Sequence, residues 1–377
     1  MSALHNLQRL LRNVFLLVIL HTLSESRKHS KEIGVIQPIR RAVTVGEGLA
    51  VLIARPGPLE DSPVFERGAA GAEANVAGVL SQLGVPTAWL SRVGDDGFGR
   101  YLVRELSARG VDTSAVSVDS LRPTGVYVKE RGSGSGRSGD LAAGTSRMLY
   151  YRTGSAASAL SPADLAEASG LLDAAGLIHC TGITTALSPS ATDLTEALLT
   201  LRRPGRLISF DLNYRAALWN RPADTVADTL ARHIRGSDIA FLGADEADAV
   251  FGTSEPDALR ALFPQPRHLV VKNDKHSVTG FLGAERVEVP ALSLEVTESI
   301  GAGDAFAGGY LAALLQGRPH EQLLRFGHLC AAAALTGAGD VAELPPVRTL
   351  ENLAAVAASE WAGMRYRPAA VPENVSS

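Results

Sequence analysis

From Ala42 onward, short apolar runs alternate with stretches whose apolar residues recur every three or four positions. AVTV from Ala42 predicts a strand, and AEANVAGVLSQLG from Ala72 a helix closed by Gly84. PTAWLSRVG is then a strand. FGRYLVRELSARG follows as a helix, with Phe98, Leu102 and Leu106 at steps of four before Gly110. LIHCTG, RLISFDL, DIAFLG and HLVVKN repeat the strand pattern, and helical spacing fills 190–201, 222–234 and 245–251. Strands that are apolar throughout are buried on both faces. The alternation therefore predicts a mostly parallel central sheet with helices on each side, a three-layer α/β/α sandwich.

Two stretches break this rhythm. EGLAVLIARPG from Glu47, and the segment from Thr124 to Gly154, carry β patterns with aromatic or polar faces and no helix between them. They predict a small β-sheet, about 47–67 and 122–154, that serves as a lid or a subunit surface. Because exposed strands are liabilities that a second copy can cover, a homo-oligomer is expected. Inside the second stretch, Gly134-Ser135-Gly136-Arg137-Ser138-Gly139 satisfies G-x-G-x-x-G. A dinucleotide fingerprint follows a strand and opens a helix. Here the flanks are Gly, Ser and Arg, so the segment reads as a flexible loop.

Composition narrows the function. The 377 residues are 46% hydrophobic and 20% charged, with net charge −4 and no basic stripe. A small-molecule partner is expected, rather than nucleic acid or a membrane. Cys180 and Cys330 sit in apolar runs without C-x-x-C spacing, which reads as two reduced core thiols and a cytoplasmic protein. In the first 41 residues the run Val14–Leu20 is too short to span a bilayer, which takes roughly 20 apolar residues. No small-residue cleavage site follows it. Residues 1–41 are expected to be an extension, 42–365 the folded domain and 366–377 a tail.

The strongest chemical signal is Gly301-Ala302-Gly303-Asp304, followed by the helical run AFAGGYLAALLQG. Glycines before a helix leave N–H groups free at its positive end, an anion site suited to a phosphoryl group in transfer. Asp304 is then placed either as a base for an attacking hydroxyl or as a simple helix cap.

The wider context resembles the ribokinase-like (PfkB) carbohydrate kinases, from about Ala42 to Ala358. One signature is Gly71-Ala72-Glu73-Ala74-Asn75 leading into Arg92-Val93-Gly94-Asp95-Asp96-Gly97-Phe98-Gly99; the other is Gly301-Ala302-Gly303-Asp304-Ala305-Phe306. Within the family, four strings are most similar to those of 2-keto-3-deoxygluconate kinases. They are Tyr150-Tyr151-Arg152-x-Gly154, Gly182-Ile183-Thr184, Asp211-Leu212-Asn213-Tyr214-Arg215, and Gly339-Asp340. The resemblance implies ATP-dependent phosphorylation of a sugar-acid hydroxyl, with Asp304 as base and Gly301, Ala302 and Gly303 as anion hole. It assigns Gly71, Asn75, Tyr127, Tyr150, Arg152, Arg215 and Asp340 to the sugar acid. Asn213, Lys272, Ser277 and His328 fall to ATP, and Glu246 to Mg²⁺ through water. On chemistry alone, Arg152 suits a carboxylate and Arg215 a phosphate. A solvated strand-end charge is the alternative for Arg152, and sheet packing for Tyr127 and Tyr150. The chain departs from the family at Ala70, Glu298, the glycine-free Lys272–Ser277 segment, Ala244-Asp245 before Glu246, and His328. A kinase for a neutral sugar and a non-catalytic binding homologue are the competing functions.

Overall fold

A computed structural model describes residues 40–297, 300–337 and 343–367. Most of the expected extension and tail, with Glu298 and Asp340, lies outside the described residues.

Seven strands form a parallel block. In spatial order they are β5 (Val116–Asp119), β4 (Thr87–Gly94), β1 (Arg41–Val45), β8 (Ala175–Thr181), β9 (Leu207–Asp211), β10 (Ile239–Gly243) and β11 (His268–Asn273). An antiparallel hairpin, β12 (Ser277–Leu282) and β13 (Glu285–Pro290), extends the β11 edge. β8 and β10 are buried along their whole length, as the apolar runs require. The second sheet runs β3 (Phe65–Ala70), β2 (Leu49–Ala54), β6 (Val126–Arg131), β7 (Ser146–Tyr151). Its central pair β2–β6 is parallel and its outer pairs antiparallel.

The helices that build the site are α1 (Ala72–Gln82), α2 (Gly97–Ala108), α3 (Gly182–Ala186), α4 (Pro189–Thr200), α5 (Ala223–Gly236), α6 (Ala244–Phe251), α7 (Ala302–Leu315) and α8 (His320–Thr336). Gly84 and Gly110 follow α1 and α2 at φ 78° and 81°, a left-handed conformation that stops a helix and that glycine adopts freely. The main core places Ile178, Phe210 and Leu242 of the sheet with Leu194 and Leu198 of α4 and Leu230 and Ile234 of α5. On the opposite face Phe241 meets the rings of Phe306 and Tyr310 of α7, edge to face, at 6.5 and 5.3 Å. Burial of side chains of this size stabilises the fold by roughly 1.5–3 kcal/mol each. α7 also lies tight on α8: a Cβ at Gly309 would fall 2.6 Å from the carbonyl oxygen of Phe326, so only glycine lets the two backbones approach.

The C-terminal ends of β8, β9, β10 and β11 come level, with Thr181 beside Asp211 and Gly243 beside Lys272. The crevice beyond the carboxyl ends of parallel strands is where such sheets place their ligands. Here it faces the N-terminus of α7.

The G-x-G-x-x-G segment lies in the β6–β7 connection and opens no helix. It is more organised than its composition suggests. The carboxylate of Asp140 accepts from the backbone N–H groups of Ser133 (3.0 Å) and Ser135 (2.7 Å) and from both serine hydroxyls (2.6 Å).

Candidate active site

Gly301 precedes α7 with φ 78°, ψ −3°, a left-handed turn natural to glycine. Its lack of a side chain leaves the first N–H groups of α7 uncapped by the helix itself. Asp304 is the third residue of α7, and its carboxylate does not cap. It accepts instead from the side-chain amides of Asn75 (2.9 Å) and Asn213 (3.2 Å). The capping alternative is therefore overturned. Two long-range amides orient the carboxylate at the floor of a cavity of about 280 Å³. Burial, partly opposed by the Asn75 hydrogen bond and reinforced by the charge of Asp211, raises Asp304 to about 6.

Asn75 comes from α1 and Asn213 from the β9 exit, where Asn213 holds φ 35°, a strained value for a residue with a side chain. Their remaining amide oxygens are buried without partners among the described residues. Lys272, at the end of β11, donates to Asp211 at 2.8 Å. Burial alone would lower this ammonium, but the carboxylates of Asp211 and Glu246 outweigh it and hold it above its ordinary value. Arg215 donates to Glu246 at 2.5 Å. Burial raises Glu246, with Lys272 and Arg215 opposing, and its Oε2 is buried without a partner among the described residues.

At the other end, Arg152 lies just beyond β7, is 9% exposed and pairs with the buried carboxylate of Glu47. The solvated-charge alternative for Arg152 fails, yet so does the picture of a free guanidinium. Glu47 also accepts from the Ser155 hydroxyl at 2.6 Å, while Nε of Arg152 is buried and has no partner among the described residues. Tyr127 and Tyr150 are opposite each other across β6 and β7, rings 5.4 Å apart. Tyr127 is buried in the sheet and Tyr150 half exposed, and both line the cavity. Gly71, at φ 132°, brings the start of α1 against the turn before β2: a Cβ there would sit 2.2 Å from the Glu47 carbonyl oxygen.

The cavity thus gathers Gly71, Asn75, Tyr127, Tyr150, Arg152, Asn213, Arg215, Glu246, Lys272, Gly301, Gly303 and Asp304. Two expected nucleotide residues are not among its lining. His328 is buried between Phe306 and Trp361, with Nε2 3.2 Å from the Val289 carbonyl oxygen, and burial lowers it to about 4. Ser277 donates to Glu288 at 2.9 Å within the edge hairpin. Glu47 and Met148 line the cavity without having been singled out, and Ile183 of the Gly182-Ile183-Thr184 string joins them. A local pattern carries no sign of Glu47, because its partner lies over a hundred residues away. The glycine-free turn after β11 is closed by Asp274, which takes φ 43° itself. A larger groove of about 680 Å³ runs along α2 beside Val118. Its polar lining includes Arg100 and Asp95, which are exposed and pair with each other at 3.2 Å.

Among the described residues, no cluster of three or more His, Cys, Asp or Glu could hold a metal alone. The Oε2 of Glu246, without a partner among the described residues, nevertheless fits a cation held mainly by water and phosphate oxygens.

Comparison with known proteins agrees with this arrangement. Residues 41–346 match the model of the pfkB family carbohydrate kinases. The 2-dehydro-3-deoxygluconokinase of Bacillus subtilis (strain 168) is 33% identical over 83% of this chain and 94% of its own length. That of Thermoproteus tenax is 34% identical over 82% and 93%. The crystal structure of a PfkB protein from Polaromonas sp. JS666 superposes with a TM-score of 0.72 at 31% identity, covering 83% of this chain and 99% of that one. The matches extend over most of the fold that carries this cavity: this chain belongs to the pfkB family of carbohydrate kinases and is an ATP-dependent sugar kinase.

Proposed function

We propose that the acceptor is a sugar acid, 2-keto-3-deoxygluconate, converted to its 6-phosphate. The observation that carries this reading is the buried Arg152 beside Tyr150 on the cavity wall, opposite Asp304 on its floor. Asp304 takes the proton of the 6-hydroxyl, whose oxygen attacks the γ-phosphorus of ATP while the bond to the bridging oxygen breaks and ADP leaves. Asn75 and Asn213 hold the carboxylate in the attacking direction. The free N–H groups of Ala302 and Gly303 bear the charge that spreads over the transferring oxygens. Lys272 and Arg215 face the donor phosphates. When bound through Glu246 and water, Mg²⁺ supplies positive charge to those phosphates.

The Glu47–Arg152 pair favours a second reading, a neutral sugar, because the guanidinium is already neutralised. A coupled ADP-release screen over sugars and sugar acids decides between them. For a sugar acid, Arg152→Ala is expected to raise its KM at least tenfold. An unchanged KM for the best substrate means that no carboxylate is clamped there. We further propose that the enzyme is cytosolic and a homo-oligomer. Support for the latter comes from Val64, Phe65 and Tyr151, which stand 43–65% exposed on the small sheet or beside it.

A further inference from the structure

Beneath the cavity lies an acid that the proposed transfer does not use. Glu73 stands two residues before Asn75 in the first turn of α1 and is completely buried. Its Oε1 accepts three hydrogen bonds, from the backbone N–H of Thr181 (3.0 Å) and from the hydroxyls of Thr181 and Thr184 (both 2.7 Å). Its Oε2 has no partner among the described residues. The carboxyl also fills the space under Gly46: a Cβ at that position would fall 2.2 Å from Cδ of Glu73. One side chain therefore joins three segments that end in the cavity. They are α1 with Asn75, the β8–α3 corner with Ile183, and the turn between β1 and β2 with Glu47.

Among the described residues, no cationic side chain pairs with it. β8 presents the Cys180 thiol and the ring of His179, which burial keeps neutral and which pairs with Ser209. α3 presents only hydroxyls, and Glu47 in the turn is engaged by Arg152 and Ser155. α7 contributes the like charge of Asp304. A full charge in such a setting costs far more than a neutral acid.

We propose that Glu73 is a positioning residue for phosphoryl transfer: it clamps the start of α1 to the β8–α3 corner and so fixes Asn75 against Asp304. This rests on the reading of Asp304 as the base. The acid holds its proton below neutral pH. Burial, countered by the threonine hydrogen bonds and reinforced by Asp304, raises it to about 7. When the clamp is lost, the Asn75 amide is free to drift from its 2.9 Å contact with Asp304. The carboxylate then turns away from the attacking hydroxyl, and turnover suffers more than ATP binding.

The test is turnover of Glu73→Leu, Glu73→Gln and Thr184→Val on the best sugar of the screen, with thermal melts from pH 5 to pH 8. Glu73→Leu strands all three donors and is expected to lower kcat at least tenfold with the KM for ATP within twofold. Glu73→Gln keeps an acceptor oxygen for them and should recover most of that loss. Thr184→Val removes one donor from the same oxygen; an intermediate fall in kcat decides the question even if Glu73→Leu does not fold. The folded acid loses its proton only near 7, whereas the unfolded chain loses it near 4.5. Wild type should therefore lose stability relative to Glu73→Gln as pH rises between those values, so the gap in Tm widens. Wild-type kcat in the folded Leu and Val variants overturns the clamp, and a Tm gap constant with pH overturns the raised titration of Glu73. Asp304→Asn, assayed alongside, separates the failures. If it is active, the base assignment falls; if it is inactive while the Glu73 variants are unaffected, only Glu73 falls.

Discussion

Two glycine-rich segments of this chain each end in an aspartate, and they could hardly differ more. Gly134–Asp140 and Gly301–Asp304 both contain left-handed glycines, at φ 72° for Gly136 and 78° for Gly301. In the first, the carboxylate of Asp140 ends an exposed connection and receives four hydrogen bonds from two serines, which hold it far below the usual range. In the second, the carboxylate of Asp304 lies at the floor of the cavity near Asp211, and desolvation holds it above that range. One is a buttress for a turn and permanently ionised, the other a group that can take up a proton near neutral pH. The difference lies in the chain just after the glycines: an exposed connection in one case, a buried helix anchored in the main core in the other.

Four experiments sharpen or break this contrast. The largest effect is expected from Asp304→Asn, with kcat down about 10³-fold, within the range for a positioned base. Because the raised carboxyl weakens the fold as pH climbs from about 4 to 6, that variant should also melt higher than wild type at pH 8. A lower melting point would mean that the carboxylate is chiefly structural.

Gly301→Ala and Gly136→Ala form a matched pair. Each places a Cβ on left-handed backbone at a cost of roughly 1–2 kcal/mol. Only Gly301→Ala is expected to lower kcat, roughly tenfold or more, by moving N–H donors; equal kcat in the two variants removes the anion-hole assignment. Next is pH itself. The base acts deprotonated, so kcat/KM should fall about tenfold between its plateau and pH 5, tracking a group that titrates near 6. A limb near pH 4 instead would return Asp304 to ordinary behaviour. Asp140→Ala should leave kcat and its pH profile unchanged, since the residue stays charged throughout and lies outside the cavity.

The legible parts of the sequence were those with local causes. Continuous apolar runs announced β1, β4 and β8–β11, and the glycines at 84 and 110 announced the ends of α1 and α2. The anion turn was readable because its glycines are followed at once by Phe306, Tyr310 and Leu311, all buried in α7. Long-range pairing was not readable. Glu47 meets Arg152 only because β2 and the end of β7 share a sheet, and Glu73 meets Thr181 only through the register of β8. α8 stands out as an alanine run rather than as a helix, since its buried face is nearly continuous and shows little period. The β12–β13 hairpin is hard to see in the sequence because Gly280 and charged residues dilute its strands. His328 shows the opposite limit. A family position suggested a nucleotide contact, but neighbouring rings enclose the side chain.

The small sheet rests on its own modest cluster of Leu49, Val51, Ala70 and Tyr127, separate from the large core beneath α4 and α5. For the history of such an enzyme this is an unequal distribution of risk. Changes around Tyr150 or Met148 reshape the wall of the cavity while the helix that bears Asp304 keeps its packing. A lineage can therefore try new acceptors by inherited variation in one thin sheet and carry the phosphate chemistry forward untouched.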